Sequence, residues 1–199
     1  MGIPKGLCRC GDGYFFKGYP NKCFDNYDTT QPILIYGRTK LGEIVGLHIN
    51  DTFQFHEEDE INTGAMKPIT GLKKATAIAV DSMRKILYFS DSKNYTISRR
   101  GIFDGEIQTI VENDLGNVEG IALDEFSGNL YYTDQAHSII GVVNVEKPEN
   151  RKILISTNLS NPRGIVVHPE KGYIFWTDWT DSNILENGKS KIERSKLDG

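Results

Sequence analysis

The chain has 199 residues, 38% of them apolar, enough for one domain with an ordinary core or one domain with a small appendage. Charge is mixed and slightly acidic, 23 Lys and Arg against 27 Asp and Glu, so no basic field exists to neutralise a phosphate backbone, which argues against nucleic acid as a partner. No apolar run approaches the ~18 to 20 residues that cross a bilayer, "MGIPKGLCRC" lacks the apolar stretch of a secretory signal, and Gly6 stands where a myristoylation pattern wants Ser or Thr.

The first segment is set apart by its cysteines. Cys8, Cys10 and Cys23 lie in "CRCGDGYFFKGYPNKC" among Gly11, Gly13, Gly18 and Pro20, and no cysteine follows. Half of a zinc site is one reading, but the nearest histidine is His48 and no fourth ligand stands at fitting spacing. The better reading is a disulfide staple in a loop-rich secreted module, closing Cys10 to Cys23 around the Gly-rich turn. Cys8 is then left over, which suggests a missing half upstream and a chain cut at its start. Three Asn-x-Ser/Thr acceptors, at Asn50, Asn94 and Asn158, fit an extracellular setting as glycosylation sites.

Next comes a repeat. "ILIYGRTKLGEIVGL" lays over the later "ILYFSDSKNYTISRR", pairing Ile33 with Ile86, Ile35 with Tyr88 and Ile44 with Ile97 at an interval of 53. Arg38 replaces an aspartate, and a polar insertion around "FQFHEEDEIN" accounts for the long interval. Three clearer copies follow. "KILYFSD", "GNLYYTD" and "GYIFWTD" end at Asp91, Asp134 and Asp178, 43 and 44 residues apart, and "KATAIAVD", "NVEGIALD" and "NPRGIVVH" precede them at the same intervals. Each copy reads as four short strands between Gly, Asn and Asp turns, and a repeat of ~40 to 45 residues built from four strands is a propeller blade. The segment "YIFWTD" is apolar on both parities, as a sheet covered on both faces requires.

In "GYIFWTDWTD" the carboxylate could be catalytic or architectural. Aspartates at one repeat position lie on a middle strand of successive blades, too far apart to share one ion with bonds of ~2.3 to 2.6 Å. Asp91, Asp134 and Asp178 therefore read as structural, accepting turn N–H groups at a strand end. No Ser-His-Asp or Cys-His arrangement and no phosphate-cradling Gly loop stands at interpretable spacing, so no catalytic residue, metal or cofactor is assigned.

The tags Tyr88-Phe89-Ser90-Asp91, Tyr131-Tyr132-Thr133-Asp134 and Phe175-Trp176-Thr177-Asp178, with "NVEGIALD", "NPRGIVVHP" and the terminal "LDG", resemble the YWTD propellers of the low-density lipoprotein receptor family. Within it the likeness is to receptor-related proteins of the alpha-2-macroglobulin receptor type. "CRCGDGYFFKGYPNKC" is similar to the last three cysteines of the EGF-like module that precedes such propellers. The resemblance implies an all-β chain: residues 1–25 as the C-terminal half of an EGF-like module, and 26–199 as a partial six-bladed propeller of about three blades plus the start of a fourth. Six blades at this period need ~260 residues. An arc lacking half its ring, a receptor fragment or incomplete gene model, is expected to be poorly soluble alone.

By the same resemblance the chain is a non-enzymatic, extracellular protein-binding module of an endocytic receptor, binding ligands and releasing them at acid pH. Partners would be protein ligands of lipoprotein, protease–inhibitor or matrix type, met at the cell surface and in endosomes. Membrane attachment and calcium would come only through parts of the parent outside this chain. Ligands would meet the face where loops lead into the innermost strands: Lys74, Asn117, Glu119 and Arg163, with Lys93, Gln135 and Trp179 nearby and Trp179 as the aromatic anchor. The bland readings are a corner-packing Trp179 and a rim salt bridge at Glu119 and Arg163. His137, in a loop after a tag, is the candidate pH sensor, and His168 replaces the aspartates at 81 and 124. Two alternatives stand: a matrix scaffold of the nidogen kind, and a calcium-dependent lactonase-type propeller using Asn117, Glu119 and Asn161.

Overall fold

The computed structural model describes residues 32–49, 65–180 and 190–199, and the backbone of two further strands, β1 (Tyr14–Phe16) and β2 (Cys23–Asp25). Those two pair antiparallel, with Phe16 opposite Cys23. Cys8, Cys10, Asn50 and the core of the acidic insertion lie outside the described residues, as does the side chain of Cys23.

Four antiparallel sheets follow. The first pairs β3 (Ile33–Arg38) with β4 (Glu43–His48). The second runs β5 (Ala75–Asp81), β6 (Ile86–Asp91), β7 (Thr96–Gly101), β8 (Gln108–Val111), in that spatial order. The third repeats it with β9 (Val118–Asp124), β10 (Asn129–Asp134), β11 (Ile139–Asn144), β12 (Lys147–Ile155). The fourth holds β13 (Pro162–His168), β14 (Tyr173–Asp178) and β15 (Lys191–Lys196). Innermost strands β5, β9 and β13 neighbour one another in turn, so the sheets stand face to face around a common side. The described residues form a partial β-propeller.

Register confirms the worn first copy strand by strand. Arg38 opposes Glu43 as Asp91 opposes Thr96, and left-handed backbone recurs in the same turn at Gly42, Tyr95 and Ser138. Ile69 bridges Ile44 as Val111 pairs Ile97, so the extra residues of the first copy fall between β4 and Ile69. Arg38 instead makes a 3.5 Å ion pair with Glu43.

Each junction between sheets encloses one core. Ile44 packs with Leu87 and Phe89 in the first, Tyr88 and Ile97 with Leu130 and Tyr132 in the second, and Tyr131 and Ile140 with Ile174 and Trp176 in the third. The two parities of a tag strand thus serve two different cores, the physical reason for its unbroken apolar run. Phe175 departs from that scheme. It lies in none of the three cores, half-buried beside Tyr173 on the outer face of the fourth sheet.

A hydroxyl crosses every junction. Ser90 Oγ accepts from Ala77 N–H within its own sheet and donates to Val118 O of the next at 3.0 Å. Thr133 Oγ1 donates to Arg163 O. The first sheet has Gly37 at the tag position, and Thr39 supplies the hydroxyl instead, donating to Ala75 O at 2.9 Å. Backbones approach closely there: a Cβ on Gly120 would stand 2.1 Å from Arg163 O.

Thr133→Val keeps the volume and removes the donor, leaving a buried carbonyl unmatched at a cost of about 1 to 3 kcal/mol. Chemical denaturation should show Thr133→Val and Gly120→Ala both destabilised; a Thr133→Val chain as stable as the parent would show that the hydroxyl contributes nothing to the junction.

Candidate protein-binding surface

The loops leading into the innermost strands are held by the tag aspartates. Asp91 accepts N–H from Lys73 and Lys74 at 2.8 and 3.0 Å on one side, and from Lys93, Asn94 and the Asn94 side chain on the other. Asp134 takes Gly116 N–H at 2.6 Å and His137 Nδ1 at 2.8 Å, and Asp178 takes Ser160 and Asn161 N–H. One buried carboxylate therefore clamps the lead-in loop to the turn beyond its own strand. Burial pushes the Asp91 carboxyl up, but the N–H donors of Lys73, Lys93, Asn94 and Lys74 outweigh it and leave it below its ordinary value.

On this frame the residue after each tag donates its N–H to a lead-in carbonyl: Ser92 to Lys74, Gln135 to Asn117, Trp179 to Asn161. Side chains then link the loops into a ladder. Lys74 Nζ lies 3.8 Å from Glu119, Glu119 accepts from Asn117 Nδ2 at 2.7 Å, and Asn117 Nδ2 also reaches Gln135 Oε1. Gln135 Nε2 donates to Asn161 Oδ1 at 2.7 Å, and Asn161 Nδ2 to Trp179 O at 2.9 Å. Each amide is fixed in one orientation by its neighbours, so the face is pre-organised across three sheets. At the end of the ladder the Trp179 ring is 47% exposed, with the Arg163 guanidinium 5.6 Å from its centroid. A cleft of about 470 Å³ opens beside it, lined by Arg163, Thr177, Trp179, Lys191 and Ile192.

Lys74, Asn117, Glu119, Arg163 and Trp179 thus share one face, as do Gln135 and Asn161. One reading changes. Glu119 pairs with Lys74, and Arg163 stacks on Trp179 instead of closing a salt bridge with Glu119. Ser92 stands at the position of Gln135 and Trp179, and its hydroxyl and that of Thr76 lie 2.7 Å apart in a hydrogen bond. Within the ladder Glu119 Oε1 accepts from Asn117 Nδ2 and Asn161 Oδ1 accepts from Gln135 Nε2. Lys191, 3.9 Å from Asp178 and lining the cleft, was not signalled by the sequence because the fourth copy departs from the period before it. Asn94 and Asn158 are exposed, Asn158 with left-handed φ. On the opposite edge Asp81 caps its turn through Arg84 and Asp124 through Phe126 and Ser127; at His168 the turn is carried by Pro169–Lys171 and Gly172.

Recurrent four-strand sheets, tag aspartates clamping lead-in loops and hydroxyl-linked junctions define a YWTD β-propeller. No family model matches the chain. It is 33% identical over 115 residues to mouse low-density lipoprotein receptor-related protein 5, covering 57% of this chain and 7% of that protein. It superimposes on a chain of the solved nidogen/laminin complex with a TM-score of 0.67 at 30% identity, over 84% of this chain and 58% of that one. Both likenesses support a propeller of the kind found in low-density lipoprotein receptor-related and nidogen proteins. The chain spans a small part of the receptor and somewhat over half of the solved chain.

A carboxyl whose folded pKa lies below its unfolded value, ~3.9, contributes stability that is complete above that value and is lost as pH falls through the folded one. Asp91 therefore holds its loop undiminished at pH 5 to 6. Asp91→Asn should be less stable than the parent at neutral pH, by a gap in unfolding midpoint that is constant between pH 7 and 5 and closes below about pH 4. Equal pH profiles for the two chains would remove Asp91 from that role.

Proposed function

We propose that this chain is a non-enzymatic protein-binding module of an extracellular, endocytic receptor of the low-density lipoprotein receptor-related kind, and that its ligand docks on the ladder face around Trp179 and Arg163. The observation that supports this is the pre-organised ladder ending in an exposed aromatic with a cation stacked on it. A large rigid side chain on a frame already ordered loses little entropy on binding, which is what an interface hot spot needs.

The similarity to a chain of the nidogen/laminin complex makes laminin a suitable probe. Trp179→Ala and Arg163→Ala should each weaken binding to immobilised laminin by about tenfold or more, as truncation of a central anchor does. Met83→Ala, on a turn at the far edge, should leave it unchanged. Equal affinities for all three would move the ligand elsewhere, and failure of the parent chain to bind laminin would retire the matrix-type ligand.

Release at acid pH requires a group that titrates above the carboxylates, and His137 stands at the base of this face. Its Nδ1 lies 2.8 Å from the buried Asp134 carboxylate that holds Gly116, one residue before Asn117. If this is the release device, dissociation from the ligand should accelerate between pH 7.4 and 5.5 in the parent and not in His137→Gln; identical pH profiles would sink it.

A further inference from the structure

On the edge opposite the ladder, the second and third junctions are built alike but neutralised differently. Where the second sheet meets the third, two carboxylates, one from each sheet, each hold an arginine. Arg84 Nη1 donates to Asp81 at 2.7 Å and to Glu125 O at 3.2 Å, and Arg99 Nη1 donates to Glu146 at 3.0 Å and to Val145 O at 3.1 Å. Register carries these positions onto the junction of the third and fourth sheets. Asp124 opposes Asn129 as Asp81 opposes Ile86, and Lys196 opposes Tyr173 as Asn144 opposes Asn129, so Leu197 and Asp198 stand where Val145 and Glu146 do. Both acids persist while both arginines are replaced. Ser127 stands third after Asp124, as Arg84 does after Asp81, and Val142 opposes Tyr131 where Arg99 opposes Tyr88.

A cleft of about 400 Å³ opens there, lined by Asp124, Ser127, Asn129, Tyr131, Leu197 and Asp198. Asp124 is 5% exposed and is held from its own turn alone, by Phe126 and Ser127. Asp198 is exposed and has no ion pair among the described residues. Lys196 also lines the cleft, but its ammonium lies over the Tyr173 ring, 4.3 Å from the centroid. Tyr131 is 2% exposed. Burial, then the Asp124 charge, push its phenol up, with a further push from Asp198, so the hydroxyl stands near both acids; the Asn129 side chain is beside it where Tyr88 has Arg99. We propose that this cleft binds the side chain of an arginine presented by a partner polypeptide. The guanidinium takes the role of Arg99, one edge of its fork meeting Asp198 and the Leu197 carbonyl and the other facing Asp124 and the Tyr131 hydroxyl. A calcium ion, which wants six or more oxygen ligands, finds only two carboxylates here, one of them already capped by its turn. The inference is independent of the ladder face and its ligand.

N-acetyl-arginine amide, titrated into the isotope-labelled chain and followed by NMR, should shift the Ser127, Gly172 and Leu197 amides to saturation, and N-acetyl-lysine amide should bind more weakly. Asp198→Asn should lower the affinity for the arginine probe by about threefold or more. Glu146→Gln, at the junction that already holds its arginines, should leave it unchanged. Ser127→Arg supplies from within the cation that Arg84 supplies next door, so it should abolish binding and raise the unfolding midpoint. Should Asp198→Asn not fold, Ser127→Arg, at an exposed position, decides the matter alone. Four results would each overturn the proposal: no shift with the arginine probe, equal binding of the lysine probe, equal losses in Asp198→Asn and Glu146→Gln, or undiminished binding in Ser127→Arg. Saturation of the same amides by calcium chloride at lower concentration than the arginine probe would replace it with a metal site.

Discussion

The arrangement depends on one hydroxyl per junction. Stacked sheets could slide or splay if apolar packing alone joined them, because packing is tolerant of small shifts while a hydrogen bond is not. Ser90 and Thr133 from their tag strands, and Thr39 from the turn just beyond β3, each reach an innermost-strand carbonyl of the following sheet, and so fix its height and angle. The carbonyl they engage lies at or beside the irregularity where each innermost strand slips register against its tag strand. That slip turns a carbonyl out of the ladder, and the hydroxyl satisfies it. Thr39 shows that chemistry matters more than position: with Gly37 in the tag, a residue two places on performs the bond.

The tag aspartate acts next to this hydroxyl and in a different direction. It gathers the N–H groups of a lead-in loop and of the following turn, which would otherwise be buried donors without acceptors. Its service to the frame also creates the surface. With the loops immobilised, Asn117, Gln135 and Asn161 stand close enough to share hydrogen bonds from sheet to sheet, and Trp179 is presented on a rigid strand end. Architecture and binding face are thus consequences of the same carboxylates, and none of them needs to contact a ligand.

Much of this was legible in the chain. Intervals of 43 and 44 locate every strand of the second and third sheets, and an interval of 53 places β3 and β4 correctly because insertion into a surface loop leaves strand register intact. The candidate face was legible too, since loops at one repeat position must emerge on one side of a stack of equivalent sheets. What escaped were pairings that depend on distance across a junction. Arg163 has both Glu119 and Trp179 within its part of the sequence pattern, and only the stacked geometry selects the ring. Phe175 carries the same sequence signature as Tyr131, yet it reaches no inter-sheet core, because burial belongs to whatever stands opposite and not to the residue itself.

The sequence by itself determined the period, the strand order within each sheet, the two-faced tag strands and the structural standing of Asp91, Asp134 and Asp178, since these follow from local alternation and repetition. Tertiary structure alone decided which hydroxyl crosses each junction, which amides join into one ladder and which apolar face stays open. Those outcomes turn on a few tenths of an ångström between groups far apart in the chain, and strand periodicity carries no information at that scale.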